Sequence, residues 1–320
     1  MTDPVGPVAW VVGSGGLVGR HVVAALAADG WEVRISRVPW GDPDAAVAAL
    51  TTDLDAFTAS RRGRPWVLAW CAGAGVVATP EAALLAELDV FERFLARLEE
   101  TAAPDDDGVV FLASSAGGLY AGSSGPPFSE ETAVAPLVAY GRTKLAMERA
   151  LTGLAGRTGL RAVLGRLANV YGPGQTLGKP QGLLSQLCLS SATTRPLPVF
   201  VSLDTIRDYV FVADVAAMVL RCVALARDAA PGTTAVKVLA SGRPVTVGHL
   251  VGEARRVFHR PLRTVTVPGG RGQVLDLRLR SVRWSEVDSL AVTTLAAGLA
   301  ATAADVRARV VSGGPLDPGR

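Results

Sequence analysis

Residues 8–37, "VAWVVGSGGLVGRHVVAALAADGWEVRISR", decide the fold. Val8 to Val12 form a short apolar run that ends in glycines, as a strand buried on both faces does. Val22, Val23, Leu26 and Ala27 then recur at helical spacing, and Gly30 supplies the stop. "WEVRISR" alternates Val33, Ile35 and Arg37 on one face, which predicts a second strand. Strand, glycine turn, helix and strand within about 30 residues make a βαβ unit.

The alternation continues outward. Val47, Leu50, Leu54 and Phe57 recur at three and four residues, so a helix is expected where a doubly wound fold usually places its third strand. "WVLAWCAG" reads as the next strand, "EAALLAELDVFERFLARLEE" as a long amphipathic helix and "GVVFLASS" as another strand. "AYGRTKLAMERALTGLAGRTG" predicts a helix and "RAVLGRLANVYG" a strand. After Gly172 the text turns glycine- and proline-rich. There "LLSQLCLSSATT" suggests a short helix, "DYVFVADVAAMVLRCVALARD" a strand and helix, and "AVKVLA" a strand. "TVGHLVGEARRVF" follows as a helix, "LRTVTV" as a strand and "SLAVTTLAAGLAATAADVRARV" as a terminal helix.

The expected fold class is therefore α/β, a doubly wound parallel sheet of Rossmann type with a smaller C-terminal lobe for substrate. Residues 1–170, with 206–242 returning, are expected to form the dinucleotide-binding domain. Residues 171–205 and 243–312 would form the lobe, and 313–320 a flexible tail.

Composition narrows the class. Hydrophobic residues are 49% and charged residues 19% of 320, which suits a compact chain and leaves little room for long disordered tracts. A net charge of +3 gives no footprint for a nucleic-acid partner. Arg255, Arg256, Arg260, Arg263, Arg271, Arg278, Arg280 and Arg283 crowd one stretch, read either as a solvated face or as a site for a phosphorylated small molecule. Cys71, Cys188 and Cys222, like the three histidines, lack metal-ligand spacing, so reduced thiols and no metal are expected. The start "MTDPVGPVAW" lacks the basic and apolar runs of a signal peptide, and "WVLAWCAGAGVVA" is too short to span a bilayer. A cytoplasmic location away from membranes is the expectation.

Gly13, Gly16 and Gly19, with Ser14, Gly15 and Leu17 between them, occupy the strand-to-helix turn. A tight turn, close approach of a pyrophosphate and helix-on-strand packing each remove a side chain. Glycines also serve as plain turns, but this trio sits in the context that dinucleotide binding requires. Ala72, in "WVLAWCAG", is placed beside the cofactor as well. Where an adenosine ribose with a free 2′-hydroxyl would call for Asp or Glu, the chain has Ser36 and Arg37. NADP(H) is favoured and NAD(H) remains possible, with a surface arginine as the plain alternative.

Tyr140 and Lys144, at i and i+4, share one helical face. A free phenol, with a pKa near 10, is a poor base at neutral pH, but an adjacent ammonium and a cationic nicotinamide would stabilise its phenolate for proton transfer. Four tyrosines and three lysines in 320 positions give about 0.04 such pairs by chance. Ser115 or Ser114, at the end of the preceding strand, can hydrogen-bond the same substrate oxygen. The sequence holds neither a G-x-S-x-G elbow nor a G-x-x-x-x-G-K-[ST] loop.

In order along the chain, "GSGGLVG", "SSAGGLY", "PPFSEETAVAPLVAYGRTK", "RLANVYGPGQ" and "RDYVFVADVA" resemble the extended short-chain dehydrogenase/reductase superfamily, in its nucleotide-sugar epimerase/dehydratase branch. The resemblance implies that Tyr140 is the acid/base, that Lys144 steadies it and bonds the nicotinamide ribose, and that Ser115 takes the serine/threonine role with Ser114 as substitute. It implies that Asn169 and Arg207, and less directly Arg278 or Arg280, hold the diphosphate of a nucleotide sugar. Counting back from Tyr120, the usual hydroxyl position is Ala116; the acidic pair of the dehydratases is missing from "SAGG"; and the usual adenine contact could only be Asp53 and Leu54. An epimerase acting at C4 of the hexose is the leading expectation, an NADPH-dependent 4-ketoreductase the second, and a dinucleotide-binding module without chemistry the third. A homodimer through "EAALLAELDVFERFLARLEE" and "AYGRTKLAMERAL" is expected, although alanine-rich helices are also ordinary core.

Overall fold

The structure is a computed structural model that describes residues 6–73, 75, 79–103, 107–177, 182–193, 196–259, 262–266 and 274–313. It divides into two compact units, Met1–Gly122 with Val134–Arg166 and Val219–Lys237, and Ser123–Ala133 with Leu167–Met218 and Val238–Arg320.

The first unit begins with β1 (Val8–Val12), α1 (Leu17–Ala28), β2 (Glu32–Ile35), α2 (Pro43–Arg61) and β3 (Trp66–Trp70). It goes on through α3 (Glu81–Glu100), β4 (Gly108–Ser115), the short α4 (Ala116–Tyr120), α5 (Ala139–Thr158) and β5 (Arg161–Leu167). Parallel pairing joins β1 to β2 and β3, and β3 to β4. Every residue of β1 and β3 is buried, as the unbroken apolar runs require of a sheet covered on both faces. Val8, Trp10 and Val12 face a cluster with Phe57 of α2, Phe91 and Phe94 of α3 and Met147 and Leu151 of α5, so these helices cover one side. Trp70 anchors that cluster edge-on to Phe91, ring centroids 4.9 Å apart.

The expected helix in place of a third strand is α2. Asp42 caps it, accepting from the amides of Asp44 and Ala45, and Pro43 fills the first helical position. The sheet consequently ends at the four-residue β2, in the order β10-β5-β4-β3-β1-β2, where β10 is Thr234–Leu239. Leu54 is fully buried in the α2 core, which removes the Asp53 and Leu54 pair as an adenine contact.

The second unit contributes β6 (Asn169–Tyr171), α6 (Leu183–Thr193), β7 (Leu197–Val199), β8 (Ile206–Arg207), β9 (Tyr209–Phe211) and the start of α7 (Val212–Arg227). After β10 come β11 (Val245–Thr246), α8 (Val247–Phe258), β12 (Thr264–Thr266), β13 (Asp276–Leu277), α9 (Ser285–Asp288) and α10 (Leu295–Val311). Helices α6, α8 and α10 enclose its core around Leu187, Leu250 and Leu299.

Two expectations are corrected. "RAVLGRLANVYG" is not one strand: β5 stops at Leu167, and Asn169 opens β6, which pairs with β9 in a separate sheet. The terminal helix begins at Leu295, because the Asp214 carboxylate binds both the amide and the hydroxyl of Thr293 at 2.8 Å and Thr294 provides the cap. Arg260, Arg271 and residues 314–320 of the expected tail lie outside the described residues.

Candidate functional site

At the glycine turn the physical demands differ by position. Gly13 has φ +87°, and a Cβ there would stand 2.4 Å from the Ala72 amide nitrogen. A Cβ on Gly19 would stand 2.2 Å from the Gly13 carbonyl oxygen, so α1 can lie on β1 only with glycine at that position. Gly16 precedes α1 and donates its amide to Gly13 at 3.0 Å. Ser14, Gly15 and Leu17 complete a side-chain-poor cradle at a helix N-terminus, with Ala72 behind it. A dinucleotide fits such a cradle, since the first-turn amides of α1 lack helical partners and backbone is open to approach. Sequence reading passed over Arg20, whose guanidinium donates to the carbonyls of Gly15 and Gly16 at 2.6 and 3.3 Å. Its signal is a cation on the first turn of a helix, where the macrodipole favours an anion.

Beyond β2, Ser36 accepts a 2.8 Å hydrogen bond from the Trp10 indole, and Arg37 is exposed with no partner among the described residues.

Tyr140 and Lys144 lie on the first two turns of α5. The Tyr140 ring rests against Gly118 of α4, where a Cβ would come within 3.1 Å of the ring. Lys144 is buried, its Nζ 6.0 Å from the Tyr140 ring centroid and 3.0 Å from Oε1 of Glu87 on α3. Glu87 is a second residue that sequence reading missed.

The two serines differ. Ser114 is buried and donates at 2.6 Å to Glu148. Arg166 grips that carboxylate at 2.8 and 3.1 Å and donates to the Tyr120 hydroxyl at 2.7 Å, which closes a buried network. Ser115 is half-buried and caps α4, its Oγ accepting from the Gly118 amide, so its hydroxyl proton remains free to be donated. Ala116 is fully buried.

In the second unit the singled-out residues are more occupied. Asn169 donates its side-chain amide to the Asp208 carbonyl at 2.9 Å. Arg207 donates to the carbonyls of Ile206 and Val274, each at 2.8 Å, and burial pushes its guanidinium below its ordinary value. Arg278 is bound by the Asp276 carboxylate, whereas Arg280 is exposed. Both arginines line a cleft of about 400 Å³ with Pro127, Ser241 and Asp288. Burial pushes the Cys71 and Cys188 thiols up to about 12, so neither is a thiolate nucleophile at neutral pH. Among the described residues no helix is long and apolar enough to cross a membrane.

A doubly wound sheet, a glycine cradle at its first crossover and a tyrosine-lysine helix define the class as a dinucleotide-binding α/β protein. The model of the family described as "NAD dependent epimerase/dehydratase family" matches residues 9–236, and the chain belongs to that family. The chain is similar to dTDP-4-dehydro-6-deoxyglucose reductase of Escherichia coli, 31% identical over 105 residues, a stretch that spans 33% of each protein. Among solved structures, UDP-glucose 4-epimerase of Thermotoga maritima with UDP-glucose shares 21% identity over 95% of this chain and 99% of its own, with a TM-score of 0.78. RMD of Pseudomonas aeruginosa, complexed with NADPH, shares 22% over 95% and 98%, with a TM-score of 0.72. At such identities the structural likeness carries the fold.

Proposed function

We propose that this protein interconverts nucleotide-activated hexoses as an epimerase, by reversible oxidation and reduction at C4. The observation that carries the reading is the placement of Tyr140 and Lys144 on one face of α5, in the unit that holds the glycine cradle. When bound, a nicotinamide dinucleotide supplies the hydride acceptor and donor. Tyr140 would take the C4 hydroxyl proton at its phenolic oxygen and return it after the 4-keto sugar has turned over. Ser115 would donate to the same sugar oxygen, with Ser114 held back by Glu148. Lys144 would bond the ribose and favour the phenolate. Asn169, Arg207, Arg278 and Arg280 are assigned to the diphosphate, with Arg280 the most available. Orientation of these groups supplies most of the rate.

Arg37 favours a second reading, a 4-ketoreductase using NADPH, in which Tyr140 donates its proton to a 4-keto-deoxysugar. The 31% stretch shared with a 4-dehydro-6-deoxyglucose reductase supports the same reading. One experiment separates them: purified protein is offered nucleotide hexoses and 4-keto sugar nucleotides while reduced-nicotinamide absorbance is followed. An epimerase forms product with no net absorbance change, a ketoreductase consumes NADPH, and absence of both overturns the two readings. We assign the protein to the cytoplasm as a homodimer through α3 and α5, which present Leu85 and which Leu137 precedes, both more than half exposed.

A further inference from the structure

Among the described residues, the ion-pair partner of Lys144 is Glu87, and the two side chains are only 5% and 11% exposed. The other carboxylate oxygen of Glu87 accepts the Gly75 amide at 3.2 Å. Gly73 packs against the same pair, since a Cβ there would lie 3.1 Å from Lys144 Nζ and 3.2 Å from Glu87 Oε1. A Cβ at Gly75 would lie 3.4 Å from both the Glu87 carboxylate and the Tyr140 ring. The carboxylate is thus clamped between the segment after β3 and the tyrosine-lysine face of α5.

Desolvating two charges costs more than a surface pair returns, so a buried pair in this place is poor as a stability device. Its electrostatic consequence is direct. From Tyr140, an ammonium with a carboxylate 3.0 Å away is a dipole rather than a lone positive charge, and its pull on a phenolate is correspondingly smaller. Of the three ammonium protons, one serves Glu87 and one points to the Met147 sulfur at 3.6 Å.

We propose that Glu87 is a positioning residue for Lys144, fixing the ammonium under the segment after β3 and offsetting part of its field at the Tyr140 phenol. The inference rests on the reading of Tyr140 as the proton-transfer group. Among the described residues the other carboxylates packed against α5 are paired, and Arg149 of α5 is exposed. Glu148 is held by Arg166 of β5 and Ser114 of β4, with Tyr120 of α4 bonded to Arg166, and the α3–α5 pairs Glu81–Arg142 and Glu99–Arg157 lie at the exposed surface.

The test is a near-ultraviolet tyrosinate titration of the full chain, needing neither sugar nor turnover. Wild type and Glu87→Gln are titrated beside the same proteins carrying Tyr140→Phe, whose difference isolates Tyr140. Burial raises Tyr171 and Tyr209, the latter to about 12, so both titrate late. In Glu87→Gln the Tyr140 signal should move to lower pH by on the order of one pH unit. Glu87→Asp, which keeps the charge but draws it away from Nζ, should move it less in the same direction, and serves alone if the glutamine variant does not fold. An unmoved or upward-moved signal overturns the proposal. Failure to turn over any nucleotide sugar would instead remove the epimerase reading and leave this titration intact, so the two failures are distinguishable.

Discussion

In the first compact unit Lys144 and Ser114 are held by carboxylates, whereas in the second the residues singled out from the sequence are spent on backbone carbonyls and a neighbouring carboxylate. Lys144 reaches Glu87, and Ser114, Glu148, Arg166 and Tyr120 form a closed buried set. Arg207 instead straps residues 206 and 274, and Arg278 is neutralised by Asp276. An α/β crossover fixes side chains through helix packing on a sheet. A lobe built from two- and three-residue strands uses its long side chains to hold the backbone together. A basic side chain therefore carries different information in the two units: Lys144 is buried against a carboxylate of α3, while Arg207 straps backbone carbonyls.

The largest expected effect comes from removing one member of the buried set in the first unit. Arg166→Met leaves Glu148 buried without its cation and should cost about 3–5 kcal/mol in denaturant unfolding. A loss under about 1 kcal/mol, the scale of a surface pair, would show that the network is dispensable. A smaller effect is expected beyond β2, at the edge of the sheet. Arg37→Asp should weaken NADP(H) binding about tenfold relative to NAD(H), roughly one charge-assisted contact. Equal losses would show that the side chain never meets a 2′-phosphate.

Most of the first unit was legible because its signals are local. The glycine trio, the Tyr140 to Lys144 spacing and the periodicity that makes α2 a helix all lie within one turn or one element. What escaped depends on distance along the chain. Glu87 and Lys144 are 57 residues apart, and the acid reads as one more charge on an amphipathic helix. Its one local signal is position, between the buried Leu84 and Phe91 at three- and four-residue spacing, which puts a carboxylate in the apolar stripe. The break between β5 and β6 was hidden for a similar reason: "LGRLANVYG" keeps a strand-like texture while its hydrogen bonds pass from one sheet to another. Spacing alone left Ser115 and Ser114 open and only the resemblance ranked them; their physical difference, that Glu148 across 34 residues binds Ser114, is a long-range contact.

We propose that Tyr140 moves the proton while the glycine cradle holds the dinucleotide independently of it. Tyr140→Phe, assayed for both turnover and dinucleotide affinity, tests it most directly. Turnover should fall on the order of a thousandfold with affinity near wild type; turnover retained in the variant would contradict the account.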